Sequence, residues 1–272
     1  MLKRTLSTLV LWSLLLVCMW RFGATGAVWL VTALSALTLL EFYAIIQRMG
    51  LAPFNRLGLT LAIAITLAPR YLEPAITAAD LLALGVIVFS IRILGERDAG
   101  NRVETLAWSL FGLAYVPFML QFLGRIALVS SPRPSTGLFL MFWLIAVSKL
   151  CDTGALLTGL AIGRHKMAPN ISPKKTWEGA AGGLLISVLA GATFAWLFRA
   201  YLPPALTPGL GALVALPIAG VAVISDLVES ILKRRAEVKD TGQTIPGIGG
   251  VFDLSDSLIL TAPIGWAVFH LL

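Results

Sequence analysis

The sequence predicts an all-α, polytopic membrane protein: a bundle of about nine transmembrane helices with a cytoplasmic N-terminus. Three observations carry that expectation. Hydrophobic residues make up 58% of the 272-residue chain and charged residues 13%, where a soluble domain carries roughly a quarter charged residues. Apolar runs of about 18 to 25 residues recur from one end to the other, each long enough to cross the hydrocarbon core. The basic residues between those runs fall unequally on alternate loops. The mean hydropathy is +0.88, and the recurring runs leave no room for a separate soluble domain.

Apolar windows bounded by charge, Pro and Gly place helices at 5–21, 26–47, 57–70, 75–95, 104–128, 137–162, 177–200, 208–233 and 254–271. The first run, opened by Lys3 and Arg4, has the charge pattern of a signal peptide. No small-residue cleavage site follows it, Arg21 closes it, and Val17 before Cys18 argues against lipid attachment, so it reads as a membrane helix. The third run is short and neighboured by Pro69 and Pro74; a half-span there would invert everything downstream. Pro132 to Pro134 and Pro203 to Pro204 mark turns on the outer side.

Loop charge checks the count, because Lys and Arg stay on the cytoplasmic side far more often than they are translocated. With nine spans, one side receives fourteen basic residues, from Lys3 and Arg4 through Arg97 and Lys174 to Lys239. The other receives five: Arg21, Arg70, Arg125, Arg133 and Arg199. That asymmetry favours an odd count and a multi-pass protein of the cell membrane. By motif content the chain divides into N-terminal helices at 1–135 and a C-terminal region at 136–272, with cytoplasmic loops at 163–177 and 234–253.

The formal charge of +7 is dispersed over short loops, which excludes a nucleic-acid surface and fits membrane lipid headgroups and phosphorylated substrates. Cys18 and Cys151 both lie in apolar stretches and read as small buried residues. His165 and His270 are isolated, and no His and Cys set resembles a zinc site.

Polar chemistry concentrates after position 147. Lys149 and Asp152, three apart, share one face of helix six; a charge at such depth costs roughly 2.5 to 3.5 kcal/mol and faces a wet cavity or a partner. They suit a functional site or an internal ion pair. The loop Gly163–Gly179, GRHKMAPNISPKKTWEG, offers Lys174, Lys175, two hydroxyls and a helix N-terminus, a collection suited to an anion. It is also what an ordinary cytoplasmic basic loop contains. In Ser225–Ser257, Asp226, Ser230 and Lys233 fall on one helical stripe. Gly247, Gly249 and Gly250 then permit close backbone approach to a ligand, and Asp253 and Asp256 enter the last helix. Carboxylates beside lysines point to a divalent cation with a phosphorylated substrate, and the oxygen-rich set suits magnesium.

In SPKKTWEG (172–179), SDLVESILKRRAEVKD (225–240) and PGIGGVFDLSDS (246–257) the sequence resembles the phosphatidate cytidylyltransferase family in motif order and spacing. The match runs from about Ser148 to the C-terminus. Two positions depart from the family pattern: Ile248 stands where it has His, and Leu254 where it has Arg.

The resemblance implies Mg2+-dependent transfer of CMP from CTP to phosphatidate, giving CDP-diacylglycerol and pyrophosphate on the cytoplasmic face. It implies catalytic roles for Asp152, Asp226, Lys233, Asp253 and Asp256, the four aspartates holding one magnesium ion or two. Lys174, Lys175, Ser230, Lys239, Gly249 and Gly250 would bind substrate. A transporter with an intramembrane acidic site, and a divergent member with lower activity or another lipid phosphate, are the competing readings. The small-residue run AAGGLLISVLAGA on helix seven suits close helix packing or a homodimer contact. Glu41, Asp80, Arg92 and Glu178 read as packing or interface charges.

Overall fold

A computed structural model describes residues 2–95, 100–133, 135–238, 241, 242, 244 and 249–272. Lys239, Gly247, Ile248, Arg97 and Pro134 lie outside the described residues, as do the side chains of Lys3 and Arg4.

The chain is helical at each segment the apolar windows select. Helix α1 (Leu2–Arg48) is broken at Gly23, whose φ of 58° and ψ of −142° interrupt it between the first two windows; only glycine adopts that conformation without a steric penalty. Helices α2 (Asn55–Tyr71) and α3 (Ala78–Leu94) have 17 residues each. The fifth window divides into α4 (Arg102–Tyr115) and α5 (Pro117–Ala127), because Pro117 lacks the N–H that would continue the ladder and suits a first helical position instead. Then come α6 (Thr136–Ile162), strands β1 (Lys166–Ala168) and β2 (Ser172–Thr176), α7 (Trp177–Leu197), α8 (Pro208–Arg235) and α9 (Val251–His270).

Among the described residues, six helices are long and apolar enough to cross a membrane: 16–48, 102–127, 136–162, 177–197, 208–235 and 251–270. The short α2 and α3 fall below that length, so the structure supports a multi-pass, all-α membrane protein with six such helices.

Two compact units are formed, one of residues 1–125 and 232–255, the other of 126–231 and 256–272. In the first unit, Phe54, Leu61, Ile65, Phe89 and Leu113 form a buried cluster over α2, α3 and α4. Phe42 of α1 centres a set of aromatic rings that includes Trp108, Tyr115 and Phe252. Tyr43 donates its hydroxyl to the Ser109 carbonyl at 2.8 Å, giving a fully buried phenol its partner. Asp80 proves to be local: with Thr77 it forms a reciprocal capping box that starts α3. Arg92 lies over the Phe54 ring at 5.5 Å.

The second unit is built on α6 against α7. Gly179, Gly183, Ser187 and Gly191 recur every four residues and so form one stripe on α7. A side chain at Gly183 would lie 2.6 Å from the Cys151 carbonyl, and one at Gly179 would lie 2.7 Å from the Ala155 carbonyl. The backbones therefore approach as closely as glycine allows. Ser187 donates to the Val147 carbonyl at 2.8 Å, and the Trp143 indole donates to the Gly191 carbonyl at 2.9 Å. This stripe is thus occupied inside the chain, while Leu185 and Leu189 of the same helix are exposed.

Candidate functional site

Four pieces of the second unit converge on a set of charged side chains. From α6 comes Lys149, whose Nζ donates to Ser257 Oγ at 2.7 Å, Asp256 Oδ1 at 3.2 Å and Asp152 Oδ2 at 3.4 Å. The i, i+3 spacing read from the sequence therefore makes a real contact, and Asp256 of α9 extends it. The Ser257 backbone N–H donates to Asp256 Oδ1 at 2.6 Å. Ser225 of α8 donates to the Asp256 carbonyl, so α9 is held to α8 by its backbone as well as by side chains.

From the loop after α6 comes Lys175. That loop folds as an antiparallel hairpin, Lys166 opposite Thr176 and Ala168 opposite Ser172. Glu178 fastens its entrance, accepting from the Arg164 and His165 backbone N–H groups at 3.1 Å and lying 2.5 Å from His165 Nδ1. Thr176 caps α7 through Gly179 N–H at 3.1 Å. Successive side chains on a strand point to opposite faces, which divides the two lysines of SPKKTWEG. Lys175 makes an ion pair with Asp226 at 2.5 Å, while Lys174 is exposed.

From α8 come Asp226 and Glu229, which with Asp256 place carboxylate oxygens within 4.8 Å of one another. Glu229 is 1% exposed. At an effective dielectric of about 20, two such charges about 5 Å apart repel by about 3 kcal/mol. Lys149 and Lys175 offset part of that repulsion. The donor set fits a hard divalent cation: it is all carboxylate oxygen, and magnesium needs only one or two such groups where substrate phosphates complete its shell. Ser230, one residue beyond Glu229, is buried at 8% exposure.

In the first unit the other expected residues are grouped around Asp253. Its carboxylate accepts from Lys233 Nζ at 2.8 Å, Gly250 N–H at 2.7 Å, Thr241 Oγ1 at 2.9 Å and Thr241 N–H at 3.2 Å. Gly249 has a φ of 125°, and a Cβ there would lie 2.8 Å from Asp253 Oδ2. The glycines of this turn thus admit side chains of the chain itself, a use of close approach that the sequence reading reserved for a ligand.

The cytidylyltransferase family model matches residues 2–272. The chain belongs to the cytidylyltransferase family. It is 31% identical to a phosphatidate cytidylyltransferase of Synechocystis sp. over 93% of this chain and 89% of that protein. A phosphatidate cytidylyltransferase of Rickettsia bellii is 32% identical over 77% of this chain and 89% of its own length. One of Mycobacterium bovis is 32% identical over 65% of this chain, which spans 55% of that longer relative.

Within this cytidylyltransferase, Asp226 and Asp256 come together with Glu229, and Lys149 links Asp152 to Asp256. Glu229 is the residue the sequence reading passed over. Stepping from Asp226 by four and seven selects Ser230 and Lys233; the i+3 position, equally on that face, selects Glu229. A carboxylate three residues after another inside an apolar span was the available signal.

Proposed function

We propose that the protein is a phosphatidate cytidylyltransferase that transfers CMP from CTP to phosphatidate in phospholipid biosynthesis. The observation that carries the reading is the group Asp226, Glu229 and Asp256, flanked by Lys149 and Lys175, on apolar helices of a chain from this family. A phosphate oxygen of phosphatidate attacks the α-phosphorus of CTP. The new P–O bond forms as the bond from the α-phosphorus to the bridging oxygen breaks, and pyrophosphate departs. A phosphate oxyanion is already a nucleophile at neutral pH, so no side chain has to remove a proton; positioning and charge neutralisation dominate.

Asp226, Glu229 and Asp256 would hold magnesium, with Asp152 tied to them by Lys149. Magnesium bound there supplies charge that draws the two anions together and stabilises the leaving pyrophosphate. Lys149 fixes the orientation of Asp152 and Asp256. Lys175 orients Asp226, and exposed Lys174 is assigned to substrate phosphate. Ser230, Lys233, Lys239, Asp253 and the Gly249–Gly250 backbone, all within the family's motifs, are assigned to the same reaction. The loop-charge asymmetry supports nine crossings of the cell membrane, a cytoplasmic N-terminus and catalysis at the cytoplasmic face.

The deciding experiment is a purified assay with CTP, phosphatidate and a magnesium titration that reads CDP-diacylglycerol. Product that depends on all three is expected. Solute flux into liposomes without CTP, with no lipid product, would establish the transporter reading instead.

A further inference from the structure

We propose that Glu41, on the N-terminal helix α1, is a positioning residue that sets Thr241, Gly242, Thr244 and the turn Gly249–Phe252, and through them Asp253 and Lys233. The inference rests on the proposed function only for what those two residues serve.

Glu41 is about two hundred residues from Thr241, Thr244 and Phe252 in sequence, yet its carboxylate receives a donor from each. Thr241 Oγ1 donates at 3.0 Å, Thr244 Oγ1 at 2.6 Å and the Phe252 N–H at 2.8 Å. Phe252 stands in the first turn of α9, where backbone N–H groups have no partner within the helix and the dipole favours an anion. The Glu41 carboxylate supplies both needs.

Two glycines make room for it. A Cβ at Gly250 would overlap Thr241 Oγ1 and Glu41 Oε2, and one at Gly242 would lie 2.8 Å from Glu41 Oε1. At these positions the turn is glycine because a carboxylate from α1 occupies the space a side chain would need. Thr241 then passes the constraint on: its one hydroxyl proton is shared between Glu41 and Asp253 Oδ2, 2.9 Å from Oγ1, its N–H donates to the same Asp253 oxygen at 3.2 Å, and Asp253 holds Lys233 at 2.8 Å.

The neighbours of Glu41 bring the same face of α1 to the same place. Thr38, one turn earlier, shares a hydrogen bond of 2.9 Å with Ser255, and Phe42 packs edge-on against Phe252 with centroids 6.0 Å apart. Those contacts fix helix against helix, whereas Glu41, of these three α1 side chains, accepts hydrogen bonds from Thr241, Thr244 and Phe252. A helix outside the C-terminal motifs is thereby assigned a part in arranging them.

The experiment compares wild type with Glu41→Ala and Glu41→Gln. It measures turnover of CTP and phosphatidate and hydrogen–deuterium exchange at the Thr241, Gly250 and Phe252 amides, whose N–H groups donate to Asp253 and Glu41. Glutamine keeps one oxygen for Thr241 and Phe252 and turns its amide toward the Thr244 hydroxyl, so it retains most of the network. Glu41→Ala is expected to speed exchange at those amides at least tenfold, leave exchange in α6 and α7 unchanged and lower kcat by about 100-fold with KM changed less than threefold. Glu41→Gln is expected to restore both readouts to within about fivefold of wild type.

Wild-type exchange and kcat in folded Glu41→Ala would overturn the proposal. So would equal loss in both variants, or a loss spread over the whole chain. Because exchange needs no substrate, a wild-type protein without cytidylyl transfer would refute the proposed function while leaving this coupling open to measurement.

Discussion

Lys175 on β2 lies 2.5 Å from Asp226 on α8, while its neighbour Lys174 is exposed. The two lysines of one motif therefore have different work. Lys175→Ala strips an ammonium from a carboxylate that shares its site with two others, and leaving such a charge uncompensated is costly. About 100-fold or greater loss in kcat/KM is expected. Lys174→Ala removes an exposed point charge and should raise KM for an anionic substrate by roughly tenfold with kcat little changed. Steady-state kinetics on purified variants check both, and equal effects would deny the division.

Glu229 gives the metal assignment its sharpest test. Glu229→Gln preserves shape and removes a negative charge from the acidic group. The magnesium concentration for half-maximal turnover should rise at least tenfold, and saturating magnesium should recover much of the rate. Chelation of divalent ions should abolish turnover in the wild type, and magnesium or manganese should restore it. A Glu229→Gln protein with unchanged magnesium dependence would remove that residue from the ligand set.

The helices and the charged spacing on α6 were legible because they follow from local rules. Apolar length marks a span, and Lys149 and Asp152 at i, i+3 must share a face. The long-range partners were not legible in the same way. Nothing in the local pattern around Glu41 says that it meets Thr241 and Phe252, since that contact depends on how α1 packs. Gly249 and Gly250 read as a place of close backbone approach to a ligand; side chains of Thr241, Glu41 and Asp253 stand there, and sequence spacing cannot say what approaches. The hairpin at 166–176 was hidden by its brevity: three and five residues rich in Lys and Pro carry no alternation strong enough to mark strands.

The glycine stripe of α7 predicts a stability effect separable from chemistry. Gly183→Val would place a Cβ 2.6 Å from the Cys151 carbonyl and 3.0 Å from Ala155 Cβ. The first of these neighbours is backbone and cannot turn aside. Separating the helices should cost about 1–3 kcal/mol, read as a lowered Tm in detergent. Gly220 is the control, because nothing lies within 4 Å of a Cβ there. Gly220→Ala should be neutral or raise stability by up to about 1 kcal/mol through helix propensity. If the two substitutions behaved alike, the close α6–α7 approach would not be limiting.

Asp253 separates two roles that the sequence alone merges. Read from the motif it is a metal ligand, yet its carboxylate already receives Lys233, the Gly250 N–H and two groups of Thr241. Asp253→Asn keeps one accepting oxygen but turns an NH2 group toward donors, which an amide cannot satisfy. Turnover should therefore fall by about 100-fold whichever role applies. The magnesium titration distinguishes them. A metal ligand would shift the half-saturating concentration as Glu229→Gln does, whereas a residue that organises the turn and Lys233 would leave it in place and lower only the plateau. The four hydrogen-bonding contacts favour the second outcome. A rightward shift of the titration would return Asp253 to the ion.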